Sequence, residues 1–350
     1  MGRVGAALLG LALWSPVAAE PIPAEVSQAL RAYDEFRAHT LKAWHPDGKS
    51  ILVGRGDGTG EGLHVVVSPG ATPKRVDQAN HALAAAYRPG DGDAIVFIAI
   101  GAEGAHRLQR LATATGNVTA VSPAGEEAME FAWNPAGDRI VYATVSASPG
   151  NPQRARTTLR LVDPAREATE RLLGHLDGRW KELRFSPNGR RIALTQEVSP
   201  AESHLWIMDV ATGTRRRVTR PDAKAAGSYR SPAFSRDGRS LFALSDRGSE
   251  HRRLVLLPLA GGPERVLTGH LAYDVDAYAP SDDAGLLAFV TNENGGHVMR
   301  FIDLVTLKEQ PRPALLDGVI GGLAWRPKSR EIGFHVSSAR SAGDVFSYDA

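Results

Sequence analysis

The segment "RFSPNGRRIAL" (Arg184–Leu194) is written, with variations, seven times along this chain. Each copy reads as an apolar strand, a polar turn built on Pro, Asn, Asp or Gly, and a second apolar strand. Proline presets the first turn dihedral, and Gly or Asn accepts positive φ at little cost. The other copies are "AWHPDGKSILVG" (Ala43–Gly54), "AYRPGDGDAIVFIA" (Ala86–Ala99), "FAWNPAGDRIVYAT" (Phe131–Thr144), "AFSRDGRSLFALS" (Ala233–Ser245), "AYAPSDDAGLLAFVT" (Ala277–Thr291) and "LAWRPKSREIGFHVS" (Leu323–Ser337). Measured between the turn positions Gly48, Gly92, Gly137, Gly189, Gly238, Gly285 and Ser329, the spacings are 44, 45, 52, 49, 47 and 44 residues. A steady period in the forties has to be read before any single element, because it sets the whole architecture.

Each unit has a second half, seen complete in "HLWIMDVATGTRRRVT" (His204–Thr219): a β-rich run ending in Asp, a small turn at Thr212-Gly213, and a short last strand. Two more units, "RLVLLPLAGGPERVLT" (Arg253–Thr268) and "VMRFIDLVTLKEQP" (Val298–Pro311), repeat the form. Four strands per unit at this spacing predict an all-β, seven-bladed β-propeller of four-stranded antiparallel blades. A β-sandwich has short strands but no self-similarity at so long a period. One sheet cannot bury both of its faces alone, so the unit is copied until the sheets pack around a ring. Two turns depart from the pattern: Arg326-Pro327-Lys328-Ser329 lacks the glycine, and the sixth copy stretches the gap from Pro280 to Gly285. The last copy ends at "DVFSYDA", which reads as a third strand, so the seventh blade is expected to be incomplete. The segment Ala24–Phe36 has only Val26 as a β-branched residue and is a poor candidate to complete it; "EVSQALRAYDEF" (Glu25–Phe36) could form a short helix.

The first residues are not fold. One basic residue (Arg3), an apolar stretch from Val4 to Trp14 and the small-x-small triplet Val17-Ala18-Ala19 read as a signal peptide cleaved before Glu20. About eleven apolar residues cannot cross a bilayer core that needs about twenty. The expected organisation is therefore a signal peptide over residues 1–19, a lead-in over 20–40 and the propeller over 41–350. This implies an exported protein, periplasmic or extracellular, with no membrane span once the signal is removed. The chain has 350 residues, 43% of them hydrophobic and 23% charged, with 41 basic against 39 acidic side chains. That balance offers no concentrated basic face for nucleic acid. With no cysteine there is neither a disulfide framework nor a thiolate metal site.

The blade form "FSRDGRSLFALSDRGSEHRRLVLL" (Phe234–Leu257) resembles the propeller of prolyl oligopeptidase-family serine peptidases, whose relatives include dipeptidyl peptidase IV, and also TolB-type propellers. Two later segments, "LTGHLAYDVDAYAPSDDAGLLAFVTNENGG" and "GVIGGLAWRPKSREIGFHVSSARSAGDVFSYD", look like the last two blades of bacterial exported members. WD-type repeats are a weaker match: Gly174-His175 and Gly269-His270 mimic their Gly-His, but no Trp-Asp pair closes a blade. The resemblance implies a propeller that accompanies an α/β-hydrolase domain bearing a Ser-Asp-His triad. The G-x-S-x-G elbow that such a nucleophile requires is not found in this sequence, so no catalytic residue is assigned.

The eleven histidines are scattered, with no zinc spacing; no metal site and no cofactor are expected. "GRGDGTGEG" (Gly54–Gly62) fits neither phosphate-loop pattern, and Asp274 and Asp276 alone fall short of a calcium site. What remains is positional. In a blade, the loops joining strand two to three and the blade-to-blade connections emerge on one face. That gathers Asp246, Arg247 and Glu250 of blade five, Asn292 and Glu293 of blade six, and Arg340 of blade seven. Such groups can hold a peptide terminus or contact a second domain; equally, they can be solvated loop charges or structural ion pairs. Two functions follow as expectations. The first is a non-catalytic propeller that gates and positions peptide substrates for a hydrolase domain docked on one face. The second is a stand-alone exported propeller that binds a protein partner.

Overall fold

A computed structural model describes residues 22–34, 37–56, 60–76, 82–101, 104–148, 151–166, 169–220 and 227–350. The chain divides into two compact units, residues 1–36 and Arg37–Ala350. In the first lies one helix, α1 (Ala24–Asp34), with Glu25 in its first turn, where a carboxylate suits the helix dipole. The expected signal peptide lies outside the described residues. No described helix is long and apolar enough to cross a membrane.

The second unit is a ring of seven antiparallel sheets. Blade one holds β1 (His39–Trp44), β2 (Ile51–Gly56), β3 (Glu61–Val66) and β4 (Lys74–Arg75). Blade two holds β5 (Ala82–Tyr87), β6 (Ala94–Ile100), β7 (His106–Ala112) and β8 (Val118–Ala120). Blade three holds β9 (Ala128–Trp133), β10 (Ile140–Ser148), β11 (Asn151–Val162) and β12 (Arg171–Asp177). Blade four holds β13 (Arg179–Phe185), β14 (Arg191–Ser199), β15 (Glu202–Asp209) and β16 (Arg215–Arg217). Blade five holds β17 (Tyr229–Phe234), β18 (Ser240–Ser245), β19 (Arg253–Pro258) and β20 (Arg265–Val266). Blades six and seven have three strands each: β21 (Val275–Pro280), β22 (Leu286–Glu293) and β23 (Gly296–Asp303), then β24 (Val319–Trp325), β25 (Glu331–Ser338) and β26 (Ser341–Asp349). First strands touch one another between blades one and two, three and four, four and five, six and seven, and seven and one, so they line the inside of the ring.

The repeated turn works as its composition predicts. In blade four, Ser186 N–H donates to the Arg191 carbonyl, Arg191 N–H returns a bond to Ser186 Oγ, and Arg190 N–H donates to Asn188 Oδ1. Gly189 takes φ 68°, which a side chain would oppose. Blade five repeats this set with Ser235, Asp237 and Gly238. The stretched sixth turn is resolved by its hydrogen bonds: Ser281 N–H pairs with the Leu286 carbonyl, so Pro280 still belongs to β21 and the turn begins one residue later than the motif suggests. In blade seven, the turn without glycine puts Lys328 at φ 55°.

Blade six lacks a regular fourth strand, but an irregular segment covers β23: Glu309 bridges Ile302, and Gln310 N–H donates to the Phe301 carbonyl. Blade seven ends with β26 as its outer strand among the described residues. It is open at that edge, as the sequence suggested, yet the ring itself closes because β1 packs against β24, β25 and β26.

Candidate functional site

All seven inner strands depart from regular pairing, six of them over a common level and blade one about two residues further along its strand. Each holds one more residue than the second strand it pairs with, between Leu41 and Ala43, Ala82 and Ala84, Ala128 and Glu130, Lys181 and Arg184, Arg230 and Ala233, Val275 and Ala277, and Gly321 and Ala324. A bulge bends its strand and re-aims the extra side chain. Together they make a collar inside the ring, toward the end of the inner strands reached by the blade-to-blade connections and the strand-two-to-three turns.

The sequence gives this collar an uneven surface. Blades two and three contribute Leu83 and Met129, 51% and 47% exposed although they stand on innermost strands. Blade four contributes Lys181, which pairs with Glu197 at 3.2 Å. In blade five, Arg230 donates to Ser228 Oγ at 2.9 Å. Blade six contributes Asp276, held by Arg252 at 2.5 Å and facing His297 Nε2 at 3.3 Å. His297 Nδ1 accepts Ile320 N–H of the next blade. The Asp274-Val275-Asp276 stretch is thus occupied by Arg252, whose guanidinium also reaches Asp274. Most collar charges have partners; the leucine and methionine are the exposed apolar members.

Carboxylates stitch the bulges together. Glu130 accepts the N–H groups of Glu182 and Leu183 in the next blade. Burial raises the Glu130 carboxyl, with Arg184 and these two N–H groups opposing. Glu182 in turn accepts Thr195 OH at 2.6 Å and Ser231 N–H at 2.7 Å. Both Glu182 and Ser231 have left-handed backbone, φ 60° and 54°. For residues other than glycine that conformation carries strain of about 1–2 kcal/mol, and here bonds from the neighbouring blades hold it. From blade six, Tyr278 OH donates to the Ser231 carbonyl.

Of the residues proposed from sequence, Asp246, Arg247, Glu250 and Arg340 lie on strand-two-to-three connections of blades five and seven, and Asn292 and Glu293 end the second strand of blade six, all on the collar's face of the ring. Several serve their own blades. Asp246 accepts Ser228 N–H at 2.6 Å, and the Arg247 carbonyl accepts Arg253 Nη2 at 2.6 Å. Asn292 Oδ1 closes its turn by accepting Gly295 N–H. Glu293 binds Arg300 at 2.7 Å and Thr291 OH at 2.8 Å; burial would raise its carboxyl, but these bonds hold it below the usual range. Glu250 and Arg340 are exposed. Sequence reasoning missed the collar, although a signal is present. Ala82, Ala128, Trp180, Tyr229, Val275 and Ile320 are buried anchors, each five residues before the end of its inner strand, and the collar residue follows.

No family model matches the sequence. Among solved structures, the fold is similar to an oligogalacturonate lyase in complex with manganese, at 13% identity and a TM-score of 0.72, covering 89% of each chain. It is also similar to prolyl oligopeptidase B from Galerina marginata bound to a 25mer macrocyclization substrate, at 12% identity and a TM-score of 0.72, covering 93% of this chain and 50% of that one. A puromycin-hydrolyzing peptidase of Mycobacterium tuberculosis matches at 16% identity and a TM-score of 0.71, over 90% and 52%. These likenesses are of fold. The chain spans about half the length of the peptidases it matches and about nine-tenths of the lyase. Among the described residues no three His, Cys, Asp or Glu side chains gather to hold a metal.

Proposed function

We propose that this ring is the non-catalytic propeller of an exported prolyl oligopeptidase-family serine peptidase, gating and positioning peptide substrates for an α/β-hydrolase domain docked on one face. Residues 1–19 act as the export signal. The observation that carries the reading is the collar: the inner strands bulge toward one face of the ring, where Leu83 and Met129 stay exposed on one arc and the polar turns of blades five to seven lie on another. The match to about half the length of peptidases with this propeller supports it. An extended peptide entering the mouth meets apolar side chains on one arc and hydrogen-bonding groups on the other. The test is to recover the native protein from its host with an antibody to the propeller and treat it with a fluorophosphonate probe. A labelled species larger than 37.4 kDa is expected; recovery of only an unlabelled species no larger than that overturns the reading. The 350-residue chain by itself is expected to leave dipeptidyl and prolyl chromogenic substrates intact.

A second reading, an exported propeller that stands alone and binds a protein partner, is favoured by the lyase comparison, in which a ring of this length covers nearly the whole of a chain. An unlabelled native species no larger than 37.4 kDa is its expected outcome.

A further inference from the structure

At the end of the inner strands away from the collar, the strand-one-to-two turns follow one another around the ring. In three seams the residue that opens one turn reaches the next. Arg88 Nε donates to the Gly137 carbonyl at 2.8 Å, the His45 ring lies against Gly92, and the Arg326 side chain lies against Gly48. Ser186 holds the same place in blade four but is too short to cross. Its hydroxyl is spent within its own turn, donating to Asn188 Oδ1 and accepting Arg191 N–H. A cavity of about 260 Å³ is left between the turns of blades four and five, lined by Ser186, Asn188 and Arg191 on one side and by Arg236 and Asp237 on the other. At about 30 Å³ per water molecule, that is room for a small ligand.

Two guanidinium groups of this lining have nothing to hold. Arg236 stands where five of the seven copies have proline: Pro46, Pro89, Pro135, Pro187 and Pro327. The turn does not need the arginine, since blade four makes the same hydrogen bonds with proline there. Arg191 corresponds to Arg139 of blade three, which pairs with Asp163 at 3.3 Å. The matching acid beside Arg191 is Asp209, whose Oδ1 is taken by Thr212 and by Ala211 N–H. Among the described residues, neither Arg191 nor Arg236 makes an ion pair or a side-chain hydrogen bond. Asn188 adds a third donor: its Oδ1 accepts Ser186 OH and Arg190 N–H, which fixes the amide's orientation and leaves Nδ2 to a ligand or solvent. Asp237 shares the lining, but it accepts Ser235 OH at 2.7 Å and Arg239 N–H at 3.0 Å within its own turn. With the exposed Arg190 and Arg239 flanking the lining, four guanidiniums stand against Asp209, Asp237 and Asp282, and burial pushes the Asp282 carboxyl up. The seam between blades three and four lacks this set: Pro187 stands where Arg236 does, and Arg139 is paired.

We propose that the cavity between the turns of blades four and five binds a phosphate group, free or as a monoester, through Arg191, Arg236 and the Asn188 amide. A guanidinium presents a planar fork of N–H donors that matches two oxygens of a phosphate, and such charge-assisted bonds are about twice as strong as neutral ones. A carboxylate has two oxygens in one plane and would leave part of this donor set unused, whereas a phosphate can turn an oxygen to each of the three donors. The cavity lies at the opposite end of the inner strands from the collar, so the inference does not depend on the peptidase reading.

The test is calorimetric titration of the full chain with phenyl phosphate, with inorganic phosphate and benzoate alongside. One-to-one binding of phenyl phosphate with a Kd of about 1 mM or tighter is expected, and weaker binding of benzoate. Tighter binding of the ester than of inorganic phosphate assigns the site to esterified phosphate, and equal binding assigns it to the free ion; either supports the site. Arg236→Pro and Arg191→Ser install residues that other copies hold at these places, as at Pro187 and Ser240. Each should weaken binding about tenfold or more, the loss of a charge-assisted pair. Arg190→Ser, at an exposed arginine outside the lining, should change it less than about twofold. Deuterium exchange over Ser186–Arg191 and Ser235–Ser240 in the unaltered chain should slow on adding phenyl phosphate, which locates the site even if a variant misfolds. Four results would overturn the proposal: no saturable binding; binding unchanged by Arg236→Pro and Arg191→Ser; an equal loss with Arg190→Ser, which would reduce the attraction to net charge; or benzoate bound as tightly as phenyl phosphate.

Discussion

Between blades three and four, Leu159, Leu173 and Leu176 meet Trp180, Leu183 and Leu194, all buried, and this apolar cluster lies beside the bonds from Glu182 and Leu183 N–H to Glu130. Between blades seven and one, polar contacts stand beside a groove of about 680 Å³ lined by Val53, Val345 and Phe346. The Trp44 indole N–H donates to the Ala324 carbonyl at 3.0 Å, and Leu41 N–H donates to His335 Nδ1 at 3.3 Å. The Arg326 guanidinium lies 5.5 Å from the Trp44 ring centroid. Gly333 is pressed so close to Leu41 and Trp44 that a Cβ there would come within 3 Å of both. Apolar burial is non-directional and scales with area, whereas the seventh seam depends on a few oriented groups beside a groove. A ring whose seams differ in this way should respond unevenly to substitution, pH and partners.

The largest effect should come from emptying a filled seam. Leu176→Ala removes a fully buried plug and should cost about 3 kcal/mol in urea unfolding, transfer and cavity contributions together. Val345→Ala, beside an existing groove, should cost less than about 1 kcal/mol, because its neighbours are already incompletely packed. Equal losses at the two sites would erase the distinction between the seams.

Two tryptophans that end inner strands sharpen the contrast. Trp44→Phe deletes the bond to Ala324 across the seventh seam and should cost about 1–2 kcal/mol, with a carbonyl left unsatisfied. Trp133 holds the matching place in blade three, but its indole nitrogen is buried without a hydrogen-bond partner. Trp133→Phe should therefore be neutral or stabilising, since it removes an orphan donor. Thermal unfolding of the two variants side by side checks the pair.

The seventh seam should also weaken in acid. His39 and His335 both sit below the ordinary histidine value of 6.5. Burial is the main cause for each. Arg55 adds to it at His39 against Asp344, and Lys42 adds to it at His335 against Glu61. Below 6.5 the unfolded chain takes up protons that the folded rings resist. Their contribution is therefore complete above 6.5 and is lost as pH falls through the folded values. His204 in blade four is lowered as well, first by burial. The seam's share is accordingly read as the part of the stability loss between about pH 8 and about pH 5 that His335→Gln removes; an unchanged pH profile in that variant would deny the seam its acid sensitivity. The smallest effect is at Lys328, whose φ of 55° suits glycine. Lys328→Gly should raise stability by about 0.5–1 kcal/mol, seen as a small rise in melting temperature.

The blades themselves were legible because their information is local. A Ser186 or Ser235 cap, an Asn188 or Asp237 bonding two residues on, and a glycine at positive φ act within a few residues of chain. Repeating that set at a steady spacing leaves few folds other than a propeller. The face carrying Asp246, Arg247, Glu250, Asn292, Glu293 and Arg340 followed from strand order alone. Their partners did not: whether Glu293 is a free acceptor or one arm of an Arg300 pair depends on a strand returning beside it.

What only the tertiary structure decided lies between blades. The collar needs each inner strand to hold an extra residue against its partner, and a register shift leaves no mark in composition. Glu182 and Ser231 tolerate left-handed backbone because carboxylates from neighbouring blades seize their N–H groups, some 50 residues away in sequence. The closing contact of the ring joins Trp44 to Ala324, separated by 280 residues. The sequence by itself determined the repeated unit, since turn chemistry and alternation are short-range. Which seams are filled and which one stays hollow is settled only when distant copies of that unit are packed around the ring.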